Sequence, residues 1–227
     1  MNYVLNIHTT LEKAILNLSD GPEVLSTSIN TDSRQHAAFL HSSIQQILQK
    51  TDIQPADLKA IAVTGGPGSY TGIRVGLAAA KGLCFALKIP MIMLNTLEVM
   101  AFSAIENISD KNALYCPLID ARRMEVFTAV YNYELNRLIQ PQAMVVEENS
   151  FKNLSKDHEI FFFGSGAEKF KKIKKSPAIN EQFTNDEITS AALSKFAWNR
   201  YKNHDFEDII NSSALYVKEF YTTAKTV

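Results

Sequence analysis

The stretch "AVTGGPGSYTGIRVGLAAAKGLCFA", residues 62–86, decides the fold. It gathers Gly65, Gly66, Pro67, Gly68 and Gly72 into one short turn between an apolar strand and a helix that carries Gly76 and Gly82. Glycine-rich backbone at a helix N-terminus can bind an anion, because unpaired N–H groups point outward and the helix dipole favours negative charge. The familiar phosphate loops do not fit. A Walker A loop ends in Gly-Lys-Ser/Thr, whereas Ile73 and Arg74 follow Gly72. The dinucleotide fingerprint is G-x-G-x-x-G, and the step from Gly68 to Gly72 is one residue too long. A hydrolase elbow is G-x-S-x-G, but Pro67 and Thr71 flank Ser69. The generic alternative is a turn that starts a helix.

The helix after the turn says more. Gly76 and Gly82 each cost about 1 kcal/mol relative to alanine in a helix interior, so some packing must offset them. Gly72, Gly76, Ala79, Ala80 and Leu83 recur three or four apart, with Ile73 beside them, and such a stripe lets another backbone approach closely. Two readings follow. The stripe packs inside its own domain, or it joins the His36, Leu40 and Ile44 side of the preceding helix in docking onto another protein.

Outward from the stretch, alternation and turn residues predict strands at 3–9, 14–19 and 23–29. Asp32 and Ser33 are good caps for an amphipathic helix over 34–50, which leads to a strand at 60–64. After the glycine turn come a helix over 71–87 and a strand at 90–94. The second half repeats this order. A helix starts near Asn95, with Glu98 placed for a capping box, and "ALYCPLIDA" and "EVFTAVYNY" form a hairpin around Arg122 and Arg123. A strand near 143–146, a short helix, a strand at 159–163 and helices over 167–175 and 189–204 complete the reading. The halves divide at 1–100 and 101–227, the last helix or tail packing back on the first.

With 227 residues the chain can bury a substantial core as one domain or two small ones. Its longest apolar runs are broken by Lys88 and Pro90, short of a membrane span, and Glu12 and Lys13 interrupt any leader-like start. Two isolated cysteines, Cys84 and Cys116, suit a reducing cytoplasm. A formal net charge of −1 gives no global attraction for nucleic acid or anionic membrane, so any RNA contact must be local or supplied by a partner.

"GGPGSYTGIRVGLAAAKGL" resembles the G-x-G-P-G-S-[FY]-T-G-[VI]-R signature of the TsaB (YeaZ) family, and "LNIHTT", "PLIDARRMEVFTAVY", "FFFGSGA" and "ALYVKEFYT" follow in family order. The resemblance spans nearly the whole chain. It implies an α/β fold of two ribonuclease-H-like subdomains of the actin, Hsp70 and sugar-kinase superfamily, each a mixed sheet with flanking helices. It further implies a non-catalytic subunit in threonylcarbamoyl modification of tRNA adenosine. Such a subunit pairs through its N-terminal helices with a TsaD-like catalytic homologue, forms a homodimer when alone, and is joined by a TsaE-like ATPase. tRNA contact is then indirect or weak.

In that superfamily the first strand ends in an aspartate that helps hold a phosphate-bound metal. Here the position is His8, followed by Thr9 and Thr10. Neutral imidazole poorly replaces a carboxylate toward Mg²⁺. The resemblance thus makes His8, Thr9, Gly65, Gly66, Gly68 and Ser69 a vestigial nucleotide loop, with no cofactor beyond weak ATP binding and no metal. The catalytic relative's H-x-x-x-H pair is not matched: His36 and His41 are five apart and point about 140° from each other on a helix.

Further candidates have two readings each. Asp120 and Glu125 could be acid and base, or could shape the hairpin turn and pair with Arg122 or Arg123. Arg74 opposes the helix dipole in its first turn, which predicts an anionic partner, Asp120 of the other half. "KFKKIKK" at 169–175 could contact tRNA phosphate or bury Phe170 and Ile173 with its lysines in water. An ATP- or metal-dependent protease or kinase of the same fold, and a nucleotide-binding regulator, are the competing functions.

Overall fold

A computed structural model describes residues 1–32, 35–174 and 176–217. The first half runs β1 (Tyr3–His8), β2 (Ala14–Asp20), β3 (Glu23–Asn30), α1 (His36–Thr51), β4 (Leu58–Gly66), α2 (Tyr70–Leu87) and β5 (Met91–Asn95). The linking helix α3 (Thr96–Ile108) leads to β6 (Leu114–Asp120), β7 (Glu125–Tyr131) and β8 (Arg137–Val145). The short α4 (Lys152–Ser155) is followed by β9 (Ile160–Phe163), α5 (Ala167–Ile173), β10 (Glu181–Phe183) and α6 (Ser190–Lys202).

The described strands form two five-stranded sheets, ordered β3-β2-β1-β4-β5 and β10-β9-β6-β7-β8. Numbered within its own half, each sheet has the order 3-2-1-4-5. In each, the first strand pairs antiparallel with its hairpin neighbour and parallel with the strand that follows a helical crossover. The repeated strand-helix order read from the sequence is therefore a repeated fold.

The layers run from α1 and α2, through the first sheet, α3 and α6, to the second sheet and α5. β1 is buried on both faces along nearly its whole length, its polar Asn6 and His8 included. Leu5 and Ile7 pack toward Leu40, Ile44 and Leu77 of α1 and α2. Val4 faces the central layer, where Leu97, Leu193 and Phe196 lie between the sheets. Beyond the second sheet, Phe162 packs its ring 5.1 Å from Phe170 and 5.3 Å from Phe151. Each such fully buried side chain contributes roughly 1.5–3 kcal/mol of hydrophobic stabilisation.

Local details depart from the sequence reading. The N-cap of α1 is Gln35, whose side chain donates to Asp32 Oδ2 at 3.1 Å, so Asp32 braces the entry to the helix without capping it; Ser33 lies outside the described residues. Asn95 does cap α3, accepting from Leu97 and Glu98 N–H, but Glu98 closes no capping box. Its carboxylate turns inward between Arg137 of β8 and Arg200 of α6, the latter at 2.9 Å. Two cations from distant elements outcompete one local N–H. β10 was not foreseen, three residues being too short for a periodic signal. α6 lies across β1, β2 and β3 of the first sheet. After α6, Glu207 bridges to Met91 and Leu215 N–H donates to Gly65 O at 2.8 Å, so the chain crosses back over the first half.

Candidate partner face and interlobe cleft

The glycine turn is closed by the chain itself. Ser69 N–H donates to Thr10 O at 2.7 Å, and Ser69 caps α2 by accepting from Gly72 N–H at 3.2 Å. A Cβ on Gly68 would stand 2.2 Å from Thr10 O, and one on Gly72 only 1.9 Å from Thr9 O. These glycines let α2 press its first turn onto the Thr9–Thr10 backbone, which occupies the space and one of the donors a phosphate would need. Gly65 and Gly66 sit beneath Leu215, on the other side of the turn.

His8 ends β1 at 1% exposure, with Nδ1 3.1 Å from Thr64 Oγ1 and 3.4 Å from Thr10 Oγ1. Burial, reinforced by the electrostatic influence of His36 and Lys13, pushes its pKa down to about 3. The ring is therefore neutral at any ordinary pH. It borders a cleft of about 650 Å³ between the halves, walled also by Lys13, Ser165, Glu168, Lys171 and Glu187. Lys13 and Glu187 bridge this cleft at 3.0 Å. A neutral imidazole and a turn whose backbone is already engaged do not fit a magnesium-bound nucleotide. Among the described residues no group of three or more His, Cys, Asp or Glu side chains is placed to hold a metal. His36 is locked by Leu11 O at 3.1 Å and lies beside Asn30, while His41 faces solvent, so the two do not converge.

The residues expected on a partner interface lie mostly inside the chain. His36, Leu40, Ile44, Gly72, Ile73, Gly76 and Ala80 are buried, and Ala79 and Leu83 are half-buried against the same core. A Cβ on Gly76 would stand 2.4 Å from Thr9 Oγ1 and 3.5 Å from Ile7 and Val63. The small-residue stripe is thus corrected to an internal seam, formed because α2 must cross β1 and β4 closely. The outward face is a different one. α1 shows Ala37, His41 and Gln45, and α2 shows Arg74, Ala78, Gly82 and Phe85. Phe85 is 79% exposed, and a Cβ on Gly82 would meet nothing within 4 Å.

The ion pair expected between Arg74 and Asp120 is not formed. Arg74 lies 4.0 Å over the Tyr70 ring and donates to Tyr216 Oη at 3.3 Å, since the returning chain reaches it where the other half does not. Asp120 instead takes Lys169 at 2.5 Å and Arg122 N–H at 2.7 Å. Against a burial that opposes them, these contacts hold its carboxyl below the usual carboxylate range. That arrangement braces the hairpin turn. The basic run divides: Lys174 is buried against Glu181, Lys171 and Lys172 are exposed, the former at the cleft, and Lys175 lies outside the described residues. The Glu98, Arg137 and Arg200 cluster had no sequence signal, its partners being 39 and 102 positions away.

Twin sheets of one order, stacked through shared helices with a cleft between them, define a protein of two ribonuclease-H-like lobes. The chain belongs to the family described as "TsaD: tRNA N6-adenosine threonylcarbamoyltransferase", matched over residues 23–210, and within it to the TsaB (YeaZ) branch. It is 31% identical over 144 residues to the tRNA threonylcarbamoyladenosine biosynthesis protein TsaB of Bacillus subtilis strain 168, covering 62% of this chain and 61% of that protein. It is 36% identical over 103 residues to the Escherichia coli K12 protein of the same name, covering 45% and 44%. The matched segments thus span less than two thirds of those relatives. A Pseudomonas aeruginosa crystal structure, described as an uncharacterized protein with similarity to peptidase YEAZ, superposes with a TM-score of 0.83 at 20% identity, over 96% of this chain and all of that one. No helix among the described residues is long and apolar enough to cross a membrane.

Proposed function

We propose that the chain is a non-catalytic subunit that supports threonylcarbamoyl transfer to tRNA adenosine, by pairing through α1 and α2 with a homologous TsaD-like catalytic subunit. The two TsaB proteins to which it is similar carry that biosynthesis in their names. The observation that carries the reading is the outward face of these helices, where Phe85 stands 79% exposed beside a glycine that the chain's own packing does not require. An apolar ring flanked by small residues suits close approach of a partner helix. The closed glycine turn and the neutral His8 support assigning the chemistry to the partner. The same face serves a homodimer when the subunit is alone, and a TsaE-like ATPase joins the pair.

The test is reconstitution of threonylcarbamoyl transfer from purified components, with and without this chain. Full activity in its absence would overturn the supporting role. Calorimetry with ATP and Mg²⁺ on the chain alone checks the competing reading of a nucleotide-driven enzyme, for which saturable tight binding with turnover is required.

A further inference from the structure

The hairpin between β6 and β7 turns on Arg122 and Arg123, and both adopt left-handed backbone, with φ of 69° and 48°. Side chains with a Cβ are strained there, and turns that need this conformation ordinarily use Asn or Gly. The turn itself is well braced. Glu125 N–H donates to Arg122 O and Ala121 N–H to Glu125 O, each at 3.1 Å. Asp120 N–H is held by Ser165 Oγ at 3.0 Å. With the backbone so engaged, the tip offers no strand edge to a partner; it offers its side chains.

Those side chains are two adjacent exposed guanidiniums that make no hydrogen bond or ion pair with any described residue. Asp120, next to them in sequence, does not neutralise them, because its carboxylate is taken by Lys169. Lys169 also reaches Glu125 O at 3.1 Å, which ties α5 to the base of the hairpin. The result is a convex, rigidly supported tip with two fixed positive charges, on a chain whose net charge is −1.

We propose that this tip is an RNA-backbone contact, each guanidinium taking phosphate oxygens of the tRNA. Planar guanidinium matches phosphate in a two-pronged geometry, and a locally basic tip on a near-neutral chain gives contact at one place without general adhesion to polyanions. The proposal rests on the tRNA reading above and adds to it a direct contact by this subunit.

The test is fluorescence anisotropy of a labelled, unmodified tRNA transcript with the full chain, alone and with the catalytic homologue, across roughly 50–200 mM salt, over which the Debye length falls from about 14 Å to about 7 Å. Arg122→Asn/Arg123→Asn removes both charges while suiting the left-handed backbone. It is expected to fold at least as stably as the parent, to bind on the order of tenfold more weakly at about 0.1 M salt, and to flatten the log–log salt slope by about 1–2. Arg122→Lys/Arg123→Lys keeps the charges and is expected to keep that slope. Unchanged affinity and slope in the asparagine variant, or no RNA binding by the parent in either form, would overturn the contact. So would binding that responds to Met124→Ser and ignores the arginines, because an apolar protein-type contact would then occupy the tip. Dependence of transfer activity on the chain is measured separately, so a failed tip leaves the subunit role standing.

Discussion

Substituting leucine at two glycines of α2 separates an internal seam from an outward face. At Gly82 a Cβ meets nothing within 4 Å, so Gly82→Leu adds no clash within the chain and gains helix propensity of about 0.8–1 kcal/mol. For a protein of this size that raises Tm by roughly 2–4 °C. At Gly76 the added Cβ falls 2.4 Å from Thr9 Oγ1, which cannot swing aside without losing its 2.7 Å bond to Gly72 O. Overpacking there costs about 1–3 kcal/mol for the first atoms alone and outweighs the propensity gain. Gly76→Leu is therefore expected to lower Tm by several degrees. Association should reverse this ranking in one respect: a leucine at Gly82 holds a partner helix away, and a misfit of about 1–3 kcal/mol weakens pairing roughly 5- to 150-fold. Calorimetric scanning and analytical ultracentrifugation with the catalytic homologue measure both quantities. A Gly82→Leu chain that is stabilised yet pairs as tightly as the parent would refute the assignment of this face. One that unfolds would refute the placement of Gly82 in open solvent.

Two further outcomes follow from buried titratable groups. His8 has a folded pKa of about 3 against an ordinary 6.5, so between those values the unfolded chain binds a proton that the folded chain does not. Its contribution to stability is present above pH 6.5 and is lost as pH falls toward 3, by up to about 1.4 kcal/mol per pH unit. Denaturant titrations from pH 7 to 4 are expected to show a shallower decline in His8→Asn; equal slopes would remove His8 as the cause. Cys84 and Cys116 are buried, and desolvation pushes their thiols up to about 11 and about 12. Iodoacetamide at pH 8 should leave both unmodified in the folded chain and alkylate both after denaturation. Rapid native labelling of either would contradict its burial.

The fold was legible because its signals are local. Alternation marked β1 to β3, Asn95 marked the start of α3, and the "DARRME" hairpin marked the junction of β6 and β7. The site was only partly legible, for a geometric reason. Spacing along α2 shows that Gly72, Gly76 and Ala80 share a face, but the same spacing serves a neighbouring strand and a foreign helix equally well. The contact that decides between them, Gly76 with Thr9, joins residues far apart in sequence. Arg74 was recognised as a cation in want of a partner, yet Tyr216 lies 142 positions away and no pattern connects them. In the basic run Lys171 and Lys172 do face solvent, but Lys169 and Lys174 are taken up by Asp120 and Glu181, which separate strands bring to them.

The return of the chain over its first half also sets an order of events during synthesis. Ile209 and Ala214 pack against the core of α1, α2 and the first sheet, while Leu215 meets the glycine turn and Tyr216 the start of α2. A ribosome must therefore deliver both lobes before the earlier one can close, and the nascent first lobe waits with an open seam. A released chain ending at residue 205 should leave that lobe open to protease, whereas the second lobe, whose sheet is already complete by β10, should resist.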